Sequence, residues 1–587
     1  MADYTFINPY TFVPFPKGGA VRYDLTDPAN NGDPLFSGEI KCTLITKTQL
    51  AVPDTLKNPN ASEDEIKEYD FFGIDIDGKR TAAIPGSGIR GVIRSVYETL
   101  TDSCVHLNDK DDDYFHTKVN KTTPGIIEYR DGSYILYEAE RIRDKTDSQY
   151  STGDIVTFFS KKGMRNASDL VDCFSDKGNR SGVYLRVNTF ETKGGKSHPS
   201  VFVKKRAVEK NFDKVYVDRL KVNVEMYEGQ YKGKYEKAIE NMETKEGKQL
   251  PVWYFRDSAT GHYYLAPSQY SRAVFVNQPK DIVEWAGVKS CTSKKSACAA
   301  CALFGFIGND GSRASRVRFT DAVCETKDCF DESYILPVLS GPRLSSFEFY
   351  LDGNGSKKYG PDFPDVTLAG RKFYWHNQNA KITADDEFAK SHPKMASKIE
   401  LVKPECEFKF SVFFDKITDD QLKKLIFALN LGNNGKDSPQ CHKIGHGKPL
   451  GLGSVKIVVD SVFKRSYEQG QYSVNDVTED MLKDAKIALF RNSKELQAFI
   501  QRVLYFKFNK DSIIDYPRTQ PGGDIFKWFA DNRKGLRSQG YIEIKQTLPK
   551  ITDNVQSLSG ELFDSGNDQN GRNRNYSNRG YSGGRRN

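Results

Sequence analysis

The chain has 587 residues, and 86 lysines and arginines against 78 aspartates and glutamates give it a formal net charge of +8. That length suffices for about four domain-sized units. Five of the arginines lie in residues 571–587, which contain no acidic residue, so the rest of the chain carries only +3. This balance excludes a uniformly basic protein, and a nucleic-acid site must therefore come from local clusters of charge.

Cysteine content and hydropathy indicate the cellular compartment in which the protein is expected. Ten cysteines in a chain of this length are typical of reduced thiols rather than of a disulfide framework. The sequence has no basic N-terminal segment followed by an apolar stretch, and no apolar run of about 18 residues. We expect a soluble, cytoplasmic protein without a membrane partner.

The first elements are predicted from alternation and turn residues. Residues 36–52 alternate polar and apolar side chains and predict a strand, whereas residues 54–70 are polar and predict little order. Asp75 and Asp77 alternate with isoleucines ahead of an Asp-Gly pair, which predicts a hairpin with both carboxylates outward. Residues 84–100, with the sequence IPGSGIRGVIRSVYETL, then predict a turn followed by an amphipathic helix.

The start of this helix combines glycine with positive charge. Ser87 is predicted as its N-cap, and Arg90 and Arg94 lie one turn apart. Glycines at positions 86, 88 and 91 let a phosphate backbone approach the amides of the first turn, where the helix dipole favours anions. We therefore predict contact with a nucleic-acid backbone here, and RNA is the nucleic acid implied by the family resemblance described below. The alternative is an ordinary amphipathic helix with solvated arginines.

Three cysteines have the spacing of metal ligands: Cys291, Cys298 and Cys301. A C-x-x-C pair places two thiolates in one tight turn, and the third cysteine can supply another corner of a tetrahedral zinc site. Nearby lysines and glycines indicate a polar loop, which favours structural zinc over three buried free thiols. The fourth ligand is left open among three residues: Cys104, His106 and His262.

The second basic segment is a glycine loop. Residues 405–415 predict a strand, and a capping box at Thr418 and Gln421 starts a helix. Residues 442–459 then form a loop that leads into another strand. The candidate RNA contacts of this loop are its glycines and cations: Gly445, His446, Gly447, Lys448, Gly451 and Gly453. The alternative is a tight hairpin whose glycines serve only positive φ.

Spacing excludes two common phosphate-binding motifs at this loop. A P-loop needs serine or threonine directly after its Gly-Lys pair, but Pro449 follows Lys448. A dinucleotide fingerprint needs G-x-G-x-x-G at the start of a helix, and these glycines miss that spacing by one residue and precede a strand.

Three further segments are predicted from composition and periodicity. Residues 107–270 are charged and rich in glycine and serine, with short strand candidates but no repeat, and predict a long insertion. Residues 476–490 and 492–508 predict two amphipathic helices, the second capped at Asn492. From about position 564 the chain has almost nothing apolar, so it cannot form a core.

Three separated segments together resemble the RAMP (repeat-associated mysterious protein) superfamily of CRISPR-Cas effector subunits, particularly the type III backbone group. They are IPGSGIRGVIRS, CAACALFGFIG (298–308) followed by SRVRFTDA (315–322), and GHGKPLGLGSVKI (445–457). The resemblance spans roughly residues 30–465, interrupted by the insertion. The family usually has two serines and a lysine where this chain has Ser87, Gly88 and Arg90, so charge is kept while the cap chemistry changes.

The resemblance implies an α+β fold with two ferredoxin-like (RRM-like) domains, a large insertion, a C-terminal helical segment and a disordered tail. The boundaries are 1–106 with 271–334 for the first ferredoxin-like domain, 107–270 for the insertion, 335–467 for the second, 468–563 for the helical segment and 564–587 for the Arg/Gly/Asn-rich tail.

The resemblance also implies function: a subunit of a type III-like antiviral effector that binds CRISPR guide RNA, target RNA and other effector subunits. In RNA-cleaving members an aspartate ahead of the PGS motif supports cleavage, and Asp70 is the residue favoured here, positioning a hydrated divalent cation or the ribose 2′-hydroxyl. Two alternatives stay open. One is a stand-alone endoribonuclease for repeat RNA, with His446 or His106 as acid or base; the other is a general RNA-binding protein that works through its tail.

Overall fold

The structure is a computed structural model, and it describes most of the chain between residues 4 and 560. Within that span it leaves out residues 27–32, 63, 106–113, 120–121, 144–151, 153–154, 157–183, 188–199, 228–229, 246–247, 270, 309, 340–345, 358, 379–386, 469, 510, 524 and 535–542. The Arg/Gly/Asn-rich tail and His106 therefore lie outside the described residues.

A nine-stranded antiparallel sheet forms the centre of the protein. Its strands in chain order are β1 (Phe36–Thr46), β2 (Gly73–Ile76), β3 (Lys79–Ile84), β4 (Val317–Phe319), β5 (Ala322–Cys324), β6 (Glu407–Ile417), β7 (His442–Lys443), β8 (Ser454–Glu468) and β9 (Gln471–Asp476). Across the sheet the order is β7-β8-β1-β6-β5-β3-β2, with β4 also paired to β6 and β9 to β8. The predicted hairpin at Asp75 and Asp77 is confirmed as β2–β3.

Ten α-helices lie in the part of the chain that the structure describes. They are α1 (Gly86–Leu100), α2 (Lys214–Glu225), α3 (Gln230–Thr244), α4 (Pro279–Trp285), α5 (Ala299–Phe304), α6 (Glu387–Ser391), α7 (Asp419–Asn430), α8 (Thr478–Asp484), α9 (Lys494–Ala498) and α10 (Ile525–Asn532). None of the described helices is long and apolar enough to cross a membrane.

Alternation along β1 gives the central sheet one covered face and one face, called the open face below, that is open only beside the first half of the strand. Thr43 and Ile45, farther along this second face, are buried. Ile40, Cys42 and Leu44 are buried in the main core together with the apolar sides of α1 and α7, as the strand pattern predicts. Lys41, between them, is exposed on the opposite face. The capping box at Thr418 and Gln421 is also confirmed, since each side chain bonds the backbone amide of the other residue.

The two separate ferredoxin-like domains are not confirmed. Strand β1, assigned to the first domain, lies between β6 and β8, which were both assigned to the second. The strands of both predicted domains therefore share one sheet and one core. Local periodicity predicts that a strand exists, but it carries no information on which strand becomes its neighbour.

Most of the segment predicted as an insertion builds a second sheet with a core of its own. Its seven strands are Thr123–Arg130, Ser133–Arg143, Ile155–Val156, Tyr184–Val187, Ser200–Phe212, Gln249–Arg256 and Tyr263–Ala266. Helices α2 and α3 pack on this sheet, and their buried side chains include Leu220 and Ile239. The predicted strand candidates GIIEY (125–129) and YILYEA (134–139) are confirmed, as are residues 184–187 of the candidate SGVYLRV (181–187); residues 181–183 lie outside the described part of the chain.

The polar stretch 54–70 is more ordered than its composition predicts. It contributes two strands, Pro53–Leu56 and Lys67–Phe71, to a four-stranded sheet with Phe330–Leu336 and Ser397–Val402. The prediction of little order was wrong because partner strands from distant sequence supply the pairing.

Short two-stranded pairs complete the fold: Thr5–Phe6 with Leu558–Ser559, Tyr10–Val13 with Arg371–Tyr374, Arg22–Tyr23 with Ala297–Cys298, His116–Val119 with Ser271–Val274, Leu351–Asp352 with Thr367–Leu368, and Arg533–Lys534 with Glu543–Ile544.

The C-terminal segment is helical only in short pieces. Helices α8 and α9 have seven and five residues, and a π-helical turn, Phe499–Val503, continues α9. The side chain that caps α9 is Ser493, whose hydroxyl accepts from the amide of Leu496, so the predicted cap at Asn492 was one residue too early.

Candidate metal centre and nucleic-acid interface

The four cysteines Cys104, Cys291, Cys298 and Cys301 converge in one buried cluster. Their Sγ atoms all lie within 4.8 Å of one another. Cys104 Sγ is 3.6 Å from the Sγ atoms of Cys298 and Cys301 and 3.7 Å from that of Cys291. Four cysteine sulfurs at one point are the donor set of a structural tetrahedral metal site.

Local structure explains how the four sulfurs come together. Cys104 follows the C-terminus of α1, and Cys298 is the N-cap of α5, where its Sγ accepts from the amide of Cys301 at 3.4 Å. The amide of Cys298 in turn donates to Cys291 Sγ at 3.2 Å. Hydrogen bonding among the four sulfurs lowers the pKa of the Cys291 and Cys298 thiols and raises the pKa of the Cys104 and Cys301 thiols.

Two arginines place positive charge beside the cluster. Arg22 Nη1 lies 2.9 Å from Cys291 Sγ, and Arg94 Nη2 lies 3.8 Å from Cys301 Sγ. Four thiolates around a divalent cation carry a net charge of about −2, so two guanidinium groups complement it. The arrangement suits a charged metal–thiolate centre better than four neutral thiols.

The structure chooses among the three proposed fourth ligands. It brings Cys104 into the cluster. His262 lies elsewhere, with its Nδ1 atom 3.1 Å from the hydroxyl oxygen of Tyr216. His106 lies outside the described residues. Sequence spacing could not make this choice, because Cys104 is 187 residues from Cys291.

Helix α1 begins without the predicted serine cap. Pro85 occupies the N-cap position, and the amide of Gly86 donates to Asp321 Oδ1 at 2.7 Å. Ser87 is an exposed residue of the first turn, so its prediction as the N-cap was wrong. The cap comes instead from the SRVRFTDA segment, more than 200 residues away along the chain.

The two arginines of α1 differ in how far they are committed to the fold. Arg94 is largely buried, and its Nε donates to Glu98 Oε1 at 2.8 Å, while Arg371 donates to the other carboxylate oxygen at 2.8 Å. Arg90 donates one Nη2 hydrogen bond to the carbonyl of Phe304 at 2.6 Å and lies over that ring. Burial and the nearby Arg94 lower the pKa of Arg90. Arg90 keeps further N–H groups for a ligand, whereas Arg94 is held in an ion-pair network.

The glycines of the loop are required by close backbone contact. Gly445, Gly447, Gly451 and Gly453 have φ between 69° and 92°. A Cβ atom would lie 2.3 Å from the Ala51 carbonyl at Gly445 and 1.8 Å from the Ile444 carbonyl at Gly453. These glycines therefore serve the fold whether or not RNA approaches them.

Lysines around this loop bind backbone carbonyls instead of carboxylates. Lys448 Nζ donates to the Gly445 carbonyl at 2.8 Å, and Lys443 Nζ donates to the carbonyls of Gly451 and Leu452 at 2.9 and 2.8 Å. Burial lowers the pKa of Lys448 and lowers that of Lys456 to about 8. Among the described residues, these three lysines form no salt bridge. Burial also lowers the pKa of Lys443 to about 7, so part of the positive charge at this loop is lost near neutral pH. His446 is exposed beside it, and burial and Lys448 lower its pKa.

The two glycine-rich basic segments are not brought together. The loop lies at the end of the sheet where β6 begins. The first residues of β8 after the loop pair with Thr46 at the end of β1, and the start of β6 pairs with the neighbouring Ile45. The first turn of α1 lies beside Thr320, whose amide donates to Ser411 in the middle of β6. The separation along β6 is about four residues, roughly 13 Å.

Asp70 lies within a strand, whereas the sequence predicts a segment of little order that ends at this residue. The strand Lys67–Phe71 pairs on both sides. Asp70 Oδ1 forms a 2.6 Å salt bridge with Lys57 Nζ, and both side chains are partly exposed. This ion pair raises the pKa of Lys57. Catalysis by Asp70 stays a prediction.

Comparison with known proteins finds one family model that matches part of the chain. Residues 252–456 match the model of the RAMP superfamily. This matched region includes the cysteine segment and most of the glycine loop. No curated protein matches the sequence significantly. Among solved structures, a chain of "Cryo-EM structure of the Type III-B Cmr-beta bound to cognate target RNA" is similar at 11% identity and a TM-score of 0.18, over 72% of this chain and 98% of that chain.

Proposed function

We propose, from the RAMP superfamily region at residues 252–456, that this protein is an RNA-binding subunit of a type III-like CRISPR effector complex. Its partners are then guide RNA, target RNA and other effector subunits. The observation that carries the proposal is the group of lysines at the glycine loop, Lys443, Lys448 and Lys456, which form no salt bridge among the described residues and lie within the matched region. A phosphate backbone would supply the negative charge that the described residues do not.

A single ferredoxin-like unit is proposed as the frame of this subunit. The support is chain order: β1, α1, the interrupted strand β4–β5, β6, α7 and β8 follow the β-α-β-β-α-β sequence. Both parts of the interrupted strand pair antiparallel with β6, and the register shifts by one residue between them.

Structural zinc at the four cysteines is part of the same proposal. Cys104, Cys291, Cys298 and Cys301 would hold the ion, and a fully protein-ligated zinc has no open position for catalysis. Its role would be to fasten the C-terminus of α1 to α5.

Sequencing of co-purified RNA tests the binding proposal. The full chain is expressed with a CRISPR array, purified at low salt, and its RNA is extracted and sequenced. Enrichment of repeat-derived guides over total cellular RNA is expected. Recovery of RNA in proportion to cellular abundance would leave only the general RNA-binding alternative, and recovery of none would contradict the proposal.

Cleavage of target RNA by way of Asp70 is tested separately. The assembled complex is incubated with labelled target RNA and Mg²⁺, with Asp70→Asn as the variant and Asp75→Asn, on the β2–β3 hairpin, as the matched control. Asp70→Asn should abolish cutting, whereas Asp75→Asn should keep it. EDTA should abolish cutting by the wild-type complex, because the proposed role of Asp70 includes positioning a divalent cation. Metal-independent cutting of repeat RNA by the isolated protein would favour the stand-alone endoribonuclease instead.

A further inference from the structure

The open face of the central sheet carries aromatic rings covered by cations. Phe413 on β6 and Phe463 on β8 are both register partners of Glu39 on β1, so they share one row. Strands two apart in a sheet place such rings about 10 Å apart. Both rings are partly exposed, whereas the opposite face of the same strands is buried in the core.

Three cations lie over these two rings. Lys41 Nζ is 5.4 Å from the centre of the Phe463 ring, and Arg318 and Arg465 lie 5.0 and 5.9 Å from that of Phe413. Among the described residues, none of the three forms a salt bridge. They are exposed, and they lie over aromatic rings without a carboxylate partner.

The acidic groups on this face are already engaged. Asp460 is paired with Lys409 at 3.3 Å, and Asp415 with Arg316 at 3.7 Å. Glu39 accepts a hydrogen bond from the Ser411 hydroxyl at 2.7 Å. Asp476, the register partner of Phe463 on β9, accepts from the amide and the hydroxyl of Thr478. Among the described residues Glu39 and Asp476 have no cation partner, and the three unpaired cations outnumber these two carboxylates.

The β8–β9 hairpin extends the face with two more rings. Tyr467 and Tyr472 are directly opposite each other in the register, and their exposed fractions are 73% and 62%. Alternation along β8 puts Tyr467 on the same side as Phe463 and Arg465. All six residues of β9 are exposed. Two large rings on a solvated hairpin gain no stability from a core, so burial does not account for them.

We infer that this face is a second RNA-contacting surface, a stacking platform for the bases of single-stranded RNA. Aromatic rings on an open sheet stack unpaired bases, and arginine and lysine between them hold the phosphates. The platform is separate from α1 and the glycine loop, which lie against the covered face and at one end of the sheet. The inference rests on the proposed function, since it adds a binding surface to an RNA-binding subunit.

Direct binding tests the platform with the full chain freed of co-purified RNA. The probe is a fluorescent oligouridylate, compared with an RNA duplex of the same length. Tyr467→Ser with Tyr472→Ser should weaken binding of the single strand at least about tenfold, and Tyr467→Phe with Tyr472→Phe should keep it, because stacking needs the ring and not the hydroxyl. The control is Trp285→Ser, which removes a ring that is 61% exposed outside the platform.

The cations are tested by salt dependence. Arg318→Ala and Arg465→Ala should each lower the slope of log affinity against log salt by about 0.7, whereas Arg206→Ala, on the second sheet with 86% of its side chain exposed, should not change it. These residues are on the surface, so their variants should fold, as circular dichroism can check. Cross-linking of 4-thiouridine RNA to Tyr467 or Tyr472 is the direct positive result.

The outcomes separate the platform from the proposed function. If the wild-type chain binds no RNA, both fail. If Arg90→Ala and Lys448→Ala weaken binding while the tyrosine and arginine variants bind normally, the platform is refuted and the proposed function stands. If the tyrosine variants bind RNA normally but no longer join the other effector subunits, the face is a protein interface and the inference is overturned.

Discussion

Lys456 illustrates how a single buried cation can make stability depend on pH. Its side chain is 1% exposed, and its Nζ donates to the carbonyl of Asn430 at 3.1 Å. Burial lowers its pKa to about 8, Cys441 opposes that shift and Lys47 adds to it. The unfolded chain has the ordinary lysine pKa of about 10.4 and binds more protons than the folded chain between these values. Stability from this residue is therefore lost as pH falls toward 8 and gained as it rises.

Replacement of Lys456 by methionine should remove this dependence. From pH 7 to 9.5 the free energy of unfolding of the wild type, relative to Lys456→Met, should rise by about 2 kcal/mol. Urea unfolding at the two pH values measures it. Lys423→Met is the control, because hydrogen bonds to Asp419 and Asp484 raise the pKa of Lys423 and confine its contribution to higher pH. A constant difference for Lys456→Met would contradict the prediction.

Zinc content tests the cysteine cluster residue by residue. The purified protein should contain about one zinc per chain, and Cys104→Ser with Cys298→Ser should lose it. Because metal bound only by the folded state stabilises that state, a chelator should lower the melting temperature. Elemental analysis and thermal unfolding give both values. Cys42→Ala, a core cysteine of β1 outside the cluster, should retain the metal. Full zinc retention in the double variant would refute the site.

At the scale of elements, helix α1 joins three features of the fold. Its first turn is capped by Asp321, its middle carries the Arg94–Glu98 ion pair, and its C-terminus leads to Cys104. The sequence predicted equal RNA-binding roles for Arg90 and Arg94. The burial and the partners of the two side chains now give them different expected effects.

Single substitutions in α1 should separate stability from RNA binding. Arg90→Ala should weaken RNA affinity and lower its salt slope by about one, with a small effect on stability. Arg94→Ala should lower the free energy of unfolding by roughly 1–3 kcal/mol, because Glu98 loses one of its two buried partners. Lys448→Ala should weaken binding less than Arg90→Ala does. Fluorescence anisotropy at two salt concentrations and urea unfolding measure these effects; an unchanged salt slope in Arg90→Ala would rule out phosphate contact.

At the scale of the whole molecule, charge is distributed unevenly along the chain. Residues 571–587 contain five arginines, two tyrosines and no acid. Such a segment attracts phosphates over about a Debye length and can stack on unpaired bases, but it contributes nothing to a core. It should speed association without selecting a sequence.

Truncation after Leu562 tests this role. The melting temperature should stay unchanged, RNA capture should slow at low salt, and the effect should be small near physiological salt because screening shortens the reach of the tail. Stopped-flow association at two salt concentrations and thermal unfolding provide the measurements. A melting temperature lower by several degrees would show that the tail docks on the fold.

Local chemistry in the sequence determined the elements: the alternating strand β1, the capping box of α7, the β2–β3 hairpin and three of the four clustered cysteines. Each depends on residues close in sequence, where periodicity and turn chemistry act directly. Tertiary structure decided what distant segments contribute: Cys104 to the cluster, Asp321 to the cap of α1, and β1 between β6 and β8. These depend on which strands pair and which side chains lose water together, and no local pattern encodes a partner that lies hundreds of residues away.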